Sequence, residues 1–71
     1  MTAEEWISAF AAEAGLEAPT PEQIDSLLKI AAVAAHSSER IAAPVACWLV
    51  GSGDIDLDRA REIADGIGEP A

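Results

Sequence analysis

The run from Ile41 to Gly51, IAAPVACWLVG, constrains this chain more than any other stretch, because it holds no charged residue. At about 100° per residue, its apolar side chains point in every direction around a helix axis. A helix that is apolar on all sides has to be covered on all sides. The sequence therefore predicts a bundle in which other helices surround this one.

Local signals mark where the other helices begin and end. Thr2 with Glu5, and Thr20 with Gln23, have the spacing of a capping box, which satisfies free backbone N–H groups at a helix start. Gly15 stands where a left-handed residue would end the first helix. No strand-like alternation of apolar and polar residues competes with these patterns. We predict one all-α domain over residues 1–71, a compact bundle of four short helices with the third helix central, at about residues 3–14, 21–36, 43–51 and 56–67.

The helical periodicity also predicts which side chains are buried. On the second helix, Ile30 and Val33 fall outside the main apolar arc, so we predict that they contact a second chain. Residues 69–71, after the last helix, are predicted to fray. The predicted core consists of Trp6, Phe10, Leu27, Leu28, Trp48, Leu49 and Ile63.

The charge balance excludes several classes of partner. The chain has 13 acidic and 4 basic residues, a net charge of −9. Nucleic acids and anionic membranes both require clustered Lys and Arg, and the uncharged run is too short to span a bilayer. We therefore predict no nucleic-acid binding and no membrane binding, and the acidic surface favours a basic protein partner.

Size and cysteine content favour association in the cytoplasm. A domain this small buries only about 60% of the surface of its unfolded chain, so its stability is marginal. A single cysteine, Cys47, allows no internal disulfide, and no metal site is recognisable. Self-association or a protein partner is the remaining way to gain stability. The N-terminus, MTAEEW, has acids where an export signal has bases, which predicts a cytoplasmic protein.

His36 and Arg40 form one candidate ligand site. Together, beside the start of the third helix, they would hold a small anion such as phosphate. The competing interpretation is local: Arg40 pairs with an acid such as Glu39, and His36 stabilises the end of the second helix. We favour the local interpretation, because one His and one Arg are a weak signal.

Asp25-Ser26-Leu27 is similar to the modification site of acyl and peptidyl carrier proteins. In that family the serine begins a helix and carries a phosphopantetheine arm. Here Ser26 falls inside a helix that starts at Thr20, so carrier function is the alternative interpretation. Cys47 lies in the most apolar segment and is predicted to be buried and inert. No paired carboxylates, Ser/His/Asp arrangement or phosphate-binding glycine loop is present, so we predict neither an enzyme nor a cofactor.

A longer pattern resembles a known family. A first helix of the TAEEWISAFAAEAGL kind is followed by Ala34-Ala35-His36, Arg40, Ala43-Pro44, Trp48-Leu49 and Gly51. This pattern resembles the DUF6457 family, a small actinobacterial helical domain of unknown function. The domain occurs alone or fused to molybdenum cofactor guanylyltransferases. The resemblance implies a non-catalytic accessory role, through protein binding, near the synthesis of molybdopterin guanine dinucleotide, and it assigns no catalytic residue.

Overall fold

The computed structural model describes residues 1–69, which form four α-helices and no strand. The helices are α1 (Ala3–Ala14), α2 (Pro21–Ser37), α3 (Ala42–Ser52) and α4 (Leu57–Gly68). The predicted all-α class is confirmed, and every helix boundary lies within one residue of its predicted position. Pro70 and Ala71, where fraying is predicted, lie outside the described residues.

Side-chain caps explain why α1 and α2 begin where they do. The Glu5 N–H donates to Thr2 Oγ1 at 3.1 Å, and the Thr2 N–H donates to Glu5 Oε1 at 2.7 Å. Thr20 and Gln23 form the same reciprocal pair at 3.1 and 2.8 Å. Gly15 ends α1 with a φ of 71°, a conformation that glycine adopts at no steric cost. Both capping boxes were readable from the sequence because they depend on residues only three apart.

The centre of the structure is α2, which packs against both α3 and α4. Ile30 is 3% exposed and is the most buried residue between residues 1 and 69. Val33, about one helical turn after Ile30, lies close to α4: a Cβ at Gly68 would be 2.7 Å from Val33 Cγ1. The predicted central position of the third helix is therefore not observed, and Ile30 is unavailable to a second chain. The periodicity misassigned Ile30 because it assumed one apolar face on a helix that needs two; contact of Val33 with a second chain stays a prediction.

The predicted core is largely exposed in the single chain. Among residues 1–69 only Ala11, Ile30 and Ala60 are buried. Leu27 is half-buried and Ile63 is 39% exposed. The other five predicted core residues are between 55% and 67% exposed, so the prediction that they form the core of one molecule is wrong: Trp6, Phe10, Leu28, Trp48 and Leu49. The physical reason is that α3 is covered on one side only and α1 makes few contacts with the other helices.

The molecule is longer in one direction than in the others, at 43 × 23 × 18 Å. Its accessible surface is 5511 Å². A folded monomer of 7.3 kDa is expected to expose about 4200 Å². The chain therefore exposes about 1300 Å² more than a typical monomer of its mass.

Candidate interaction surface

The exposed side of α3 carries a continuous row of large apolar side chains. Ile41, Val45, Trp48 and Leu49 recur at intervals of four, three and one residues, which places them on the same side of the helix. All four are more than half exposed, and no charged residue lies within α3. We call these four residues the α3 stripe. A water-facing helix surface normally carries polar residues at these positions.

The opposite side of α3 explains why the stripe faces outward. Ala42, Ala43 and Ala46 are half-buried, and Cys47 Sγ lies 3.8 Å from the Leu27 carbonyl oxygen of α2. Small side chains on this side let two helices approach closely, whereas Trp48 would force them apart. The helix therefore packs through small side chains and directs Ile41, Val45 and Trp48 away from α2, while Leu49 and Val50 border a groove shared with α2.

An open apolar groove lies where α2, α3 and α4 meet. Its cavity volume is about 480 Å³. We define it by its most buried lining residues, Ile30 and Ala60, and by its more exposed lining residues, Leu49, Ile63 and Ile67. The only polar side chain that lines it is Ser37, whose hydroxyl donates to the Val33 carbonyl oxygen at 2.6 Å. Ligand sites for small polar molecules need several converging polar groups, so this groove suits apolar side chains.

A third apolar feature lies on α1. The rings of Trp6 and Phe10 stack with centroids 5.2 Å apart and an interplanar angle of 15°. Both residues are more than half exposed. Their four-residue spacing brings them together on one helix face, so the pair is held by α1 itself rather than by a core.

The two residues of the candidate anion site do not line the same depression. His36 is exposed in the last turn of α2 and lines a shallow depression together with Asp65 and Glu69 of the α4 end. Arg40 does not line that depression, and within residues 1–69 its side chain forms no ion pair. The predicted pairing of Arg40 with Glu39 is therefore not formed. Two carboxylates beside His36 oppose the approach of an anion.

The remaining candidate residues show no arrangement for catalysis. Ser26 lies inside α2 and is half-buried, so it does not begin a helix as a carrier serine does. Burial raises the pKa of the Cys47 thiol, which keeps it protonated and weakly nucleophilic at neutral pH. Within residues 1–69 no three His, Cys, Asp or Glu side chains are grouped to hold a metal ion. The polar groups of the described chain are therefore dispersed rather than convergent.

Comparison with known families decides the classification. The model of DUF6457, a domain of unknown function, matches residues 1–54. This chain belongs to the DUF6457 family. The family match spans α1, α2, α3 and the whole α3 stripe, and it stops before α4. No curated protein and no solved structure matches the chain. Among helices in the described part of this DUF6457 member, none is long and apolar enough to cross a membrane.

Sequence reasoning missed three residues of this surface: Ile41, Val45 and Ile67. A signal for the first two was present, because large apolar residues on one side of α3 stand opposite a row of alanines. The groove had no comparable signal. Its walls come from three helices, so it depends on how α4 packs against α2.

Proposed function

We propose that this chain is a non-catalytic accessory domain that acts by binding protein through its apolar surface. One observation carries the proposal: large apolar side chains are exposed along α3 and around the groove, while only three of residues 1–69 are buried. Soluble monomers rarely expose contiguous apolar patches larger than a few hundred Å², and larger patches mark interaction sites.

The chemistry of the groove supports protein as the ligand. An amphipathic helix binds such a groove by inserting apolar side chains spaced three or four residues apart. The groove between Leu49, Ile63 and Ile67 is open and apolar enough to accept them. It offers no titratable group for acid–base or nucleophilic chemistry, since Ser37 is its one polar side chain. These features favour binding over catalysis.

The charge distribution supports selectivity among partners. A net charge of −9 would speed the approach of a basic protein and repel other acidic ones. Such long-range attraction affects the association rate more than the lifetime of the complex. The apolar contacts would then determine how long the partner stays bound.

Membership of the DUF6457 family supports a more specific form of the proposal. We propose a cytoplasmic role beside molybdopterin guanine dinucleotide synthesis, with a molybdenum cofactor guanylyltransferase as the partner. The lone thiol of Cys47 agrees with a reducing compartment. No observation favours the carrier function at Ser26 or an anion site at His36 and Arg40 over protein binding.

Photo-cross-linking in the host cell tests the proposal. A benzophenone amino acid replaces Ile67, which lines the groove and is 77% exposed. The matched control replaces Asp58, an exposed polar residue of the same helix. We expect discrete protein adducts from position 67 and none from position 58. Equal labelling from both positions, or no protein adduct from position 67, would contradict protein binding. Mass spectrometry of the adduct then shows whether the partner is a guanylyltransferase.

A further inference from the structure

We propose that the α3 stripe docks against the α3 stripe of a second copy of this chain, with the two helices antiparallel. The inference rests on the proposed function and names one partner for that surface. The proposed complex is a homodimer whose two copies are related by a two-fold axis, the most common symmetry of soluble oligomers.

The exposed area supports a dimer of ordinary size. Each chain exposes about 1300 Å² more than a monomer of its mass should. This excess belongs to the whole chain, and the exposed Trp6 and Phe10 of α1 contribute to it together with the α3 stripe. A standard-size interface takes only about 800 Å² from each partner, which is less than the excess. The stripe is a suitable centre for it, because the cores of such interfaces are apolar and rich in aromatic residues such as Trp48.

The charges at the two ends of the stripe are complementary under a two-fold axis. Arg40 precedes the stripe and Asp54 follows it, and between them the chain has no charge. Both residues are exposed, and within residues 1–69 neither forms an ion pair. An antiparallel pair centred at the level of Cys47 places Arg40 of one copy beside Asp54 of the other. The same register places Val45 opposite Leu49 of the second copy.

This arrangement distinguishes a second copy from a basic partner. A uniformly basic surface would meet Arg40 at one end of the stripe, whereas the second copy presents a carboxylate there. Two chains of net charge −9 repel each other, and salt weakens that repulsion. The homodimer should therefore tighten as salt rises, while a complex with a basic protein should weaken.

Sedimentation equilibrium of the full chain, from low micromolar to millimolar concentration at low and high salt, tests the dimer. We expect a dimer that is tighter at high salt. Val45→Glu and Trp48→Glu should each weaken it at least about tenfold, because each places a charge in an apolar interface. The matched control is Leu28→Glu, which alters an equally exposed residue of α2 and should leave the dimer intact. Circular dichroism verifies that each variant keeps its helices.

Disulfide trapping tests the orientation. In a Cys47→Ser background, Val45→Cys and Leu49→Cys chains are mixed and oxidised. Antiparallel docking predicts that the mixed disulfide forms faster than either disulfide between identical variants. Faster pairing of Val45→Cys with itself would indicate parallel helices and overturn the proposed register.

A chain that stays monomeric at every concentration and salt level would overturn the inference, and so would a dimer that Val45→Glu and Trp48→Glu leave unchanged. Either result leaves protein binding standing if position 67 still cross-links to another protein in cells. The absence of both a dimer and a cross-link would remove the proposed function as well.

Discussion

The helices α2 and α3 show opposite relations between composition and burial. The α3 segment has no charged residue, yet none of its residues is fully buried. The α2 segment carries an exposed ion pair between Lys29 and Asp25 at 3.0 Å, yet it contains Ile30, the most buried residue described. Burial here follows the number of neighbouring helices, because α2 has two and α3 has only α2 as a major contact. An apolar helix in a small chain can therefore be a surface for another molecule.

The largest effect should come from comparing Ile30→Ala with Trp48→Ala. Removing the buried Ile30 side chain between three helices should cost about 2–4 kcal/mol of unfolding free energy. Trp48→Ala should change the unfolding free energy of the dilute monomer little, since Trp48 is 67% exposed. Urea unfolding followed by circular dichroism at low protein concentration measures both. A larger loss from Trp48→Ala under these conditions would mean that α3 is covered within one molecule.

Two glycines of α4 test how closely this helix packs against α2. A methyl group at Gly68 would lie 2.7 Å from Val33 Cγ1, and the stiff Val33 side chain yields poorly. Gly68→Ala should therefore destabilise the fold by about 1–2 kcal/mol. Gly66→Ala meets nothing within 4 Å and should stabilise α4 by about 0.5–1 kcal/mol. Thermal unfolding of the two variants measures both effects. Shifts of the unfolding temperature in the same direction would contradict close packing of α4 on α2.

The two capping boxes test whether α1 unfolds independently of the rest. Thr20→Ala should lower the global unfolding free energy by about 1 kcal/mol, because α2 contacts both α3 and α4. Thr2→Ala removes an equivalent cap, but α1 makes few contacts with the other helices. Its effect should appear as faster amide hydrogen exchange within α1 alone. If exchange accelerated across all helices, α1 would be an integral part of the cooperative unit.

The smallest expected effect concerns Cys47, on the covered side of α3. Burial raises the pKa of its thiol in the folded state above the value that the thiol has in the unfolded chain. The unfolded chain then loses this proton first, so the contribution to folding stability is present below pH 9 and declines as pH rises above it. Alkylation by iodoacetamide at pH 8 should be slower in the folded chain than in urea. Equal rates would show that this side of α3 is open to solvent.

Local features of the fold were predictable from the sequence, and longer-range ones were not. Thr2, Thr20 and Gly15 act on residues within one turn, so their spacing alone located both ends of α1 and the start of α2. The family was also recognisable from the residue pattern. Which helix lies in the middle depends on packing between segments far apart in the chain, and the burial of Ile30 follows from that packing.

The same limit applies to the candidate surface. The apolar character of Trp48 and Leu49 was plain in the sequence, but the direction in which they point was not. That direction depends on how α3 packs against α2 through the half-buried Ala43 and Cys47 on the opposite side of the helix. His36 and Arg40 are four residues apart in the sequence, yet Arg40, in the turn between α2 and α3, does not line the depression that contains His36.

The alanines between α3 and α2 also have an evolutionary consequence. Ala43 is half-buried on the side of α3 that packs against α2, so a bulky replacement there would push the two helices apart. Positions 45 and 48 are free of that steric limit, so one apolar side chain can replace another there without moving the backbone. Related chains can therefore evolve new binding partners through substitutions in the α3 stripe while the helical fold stays the same.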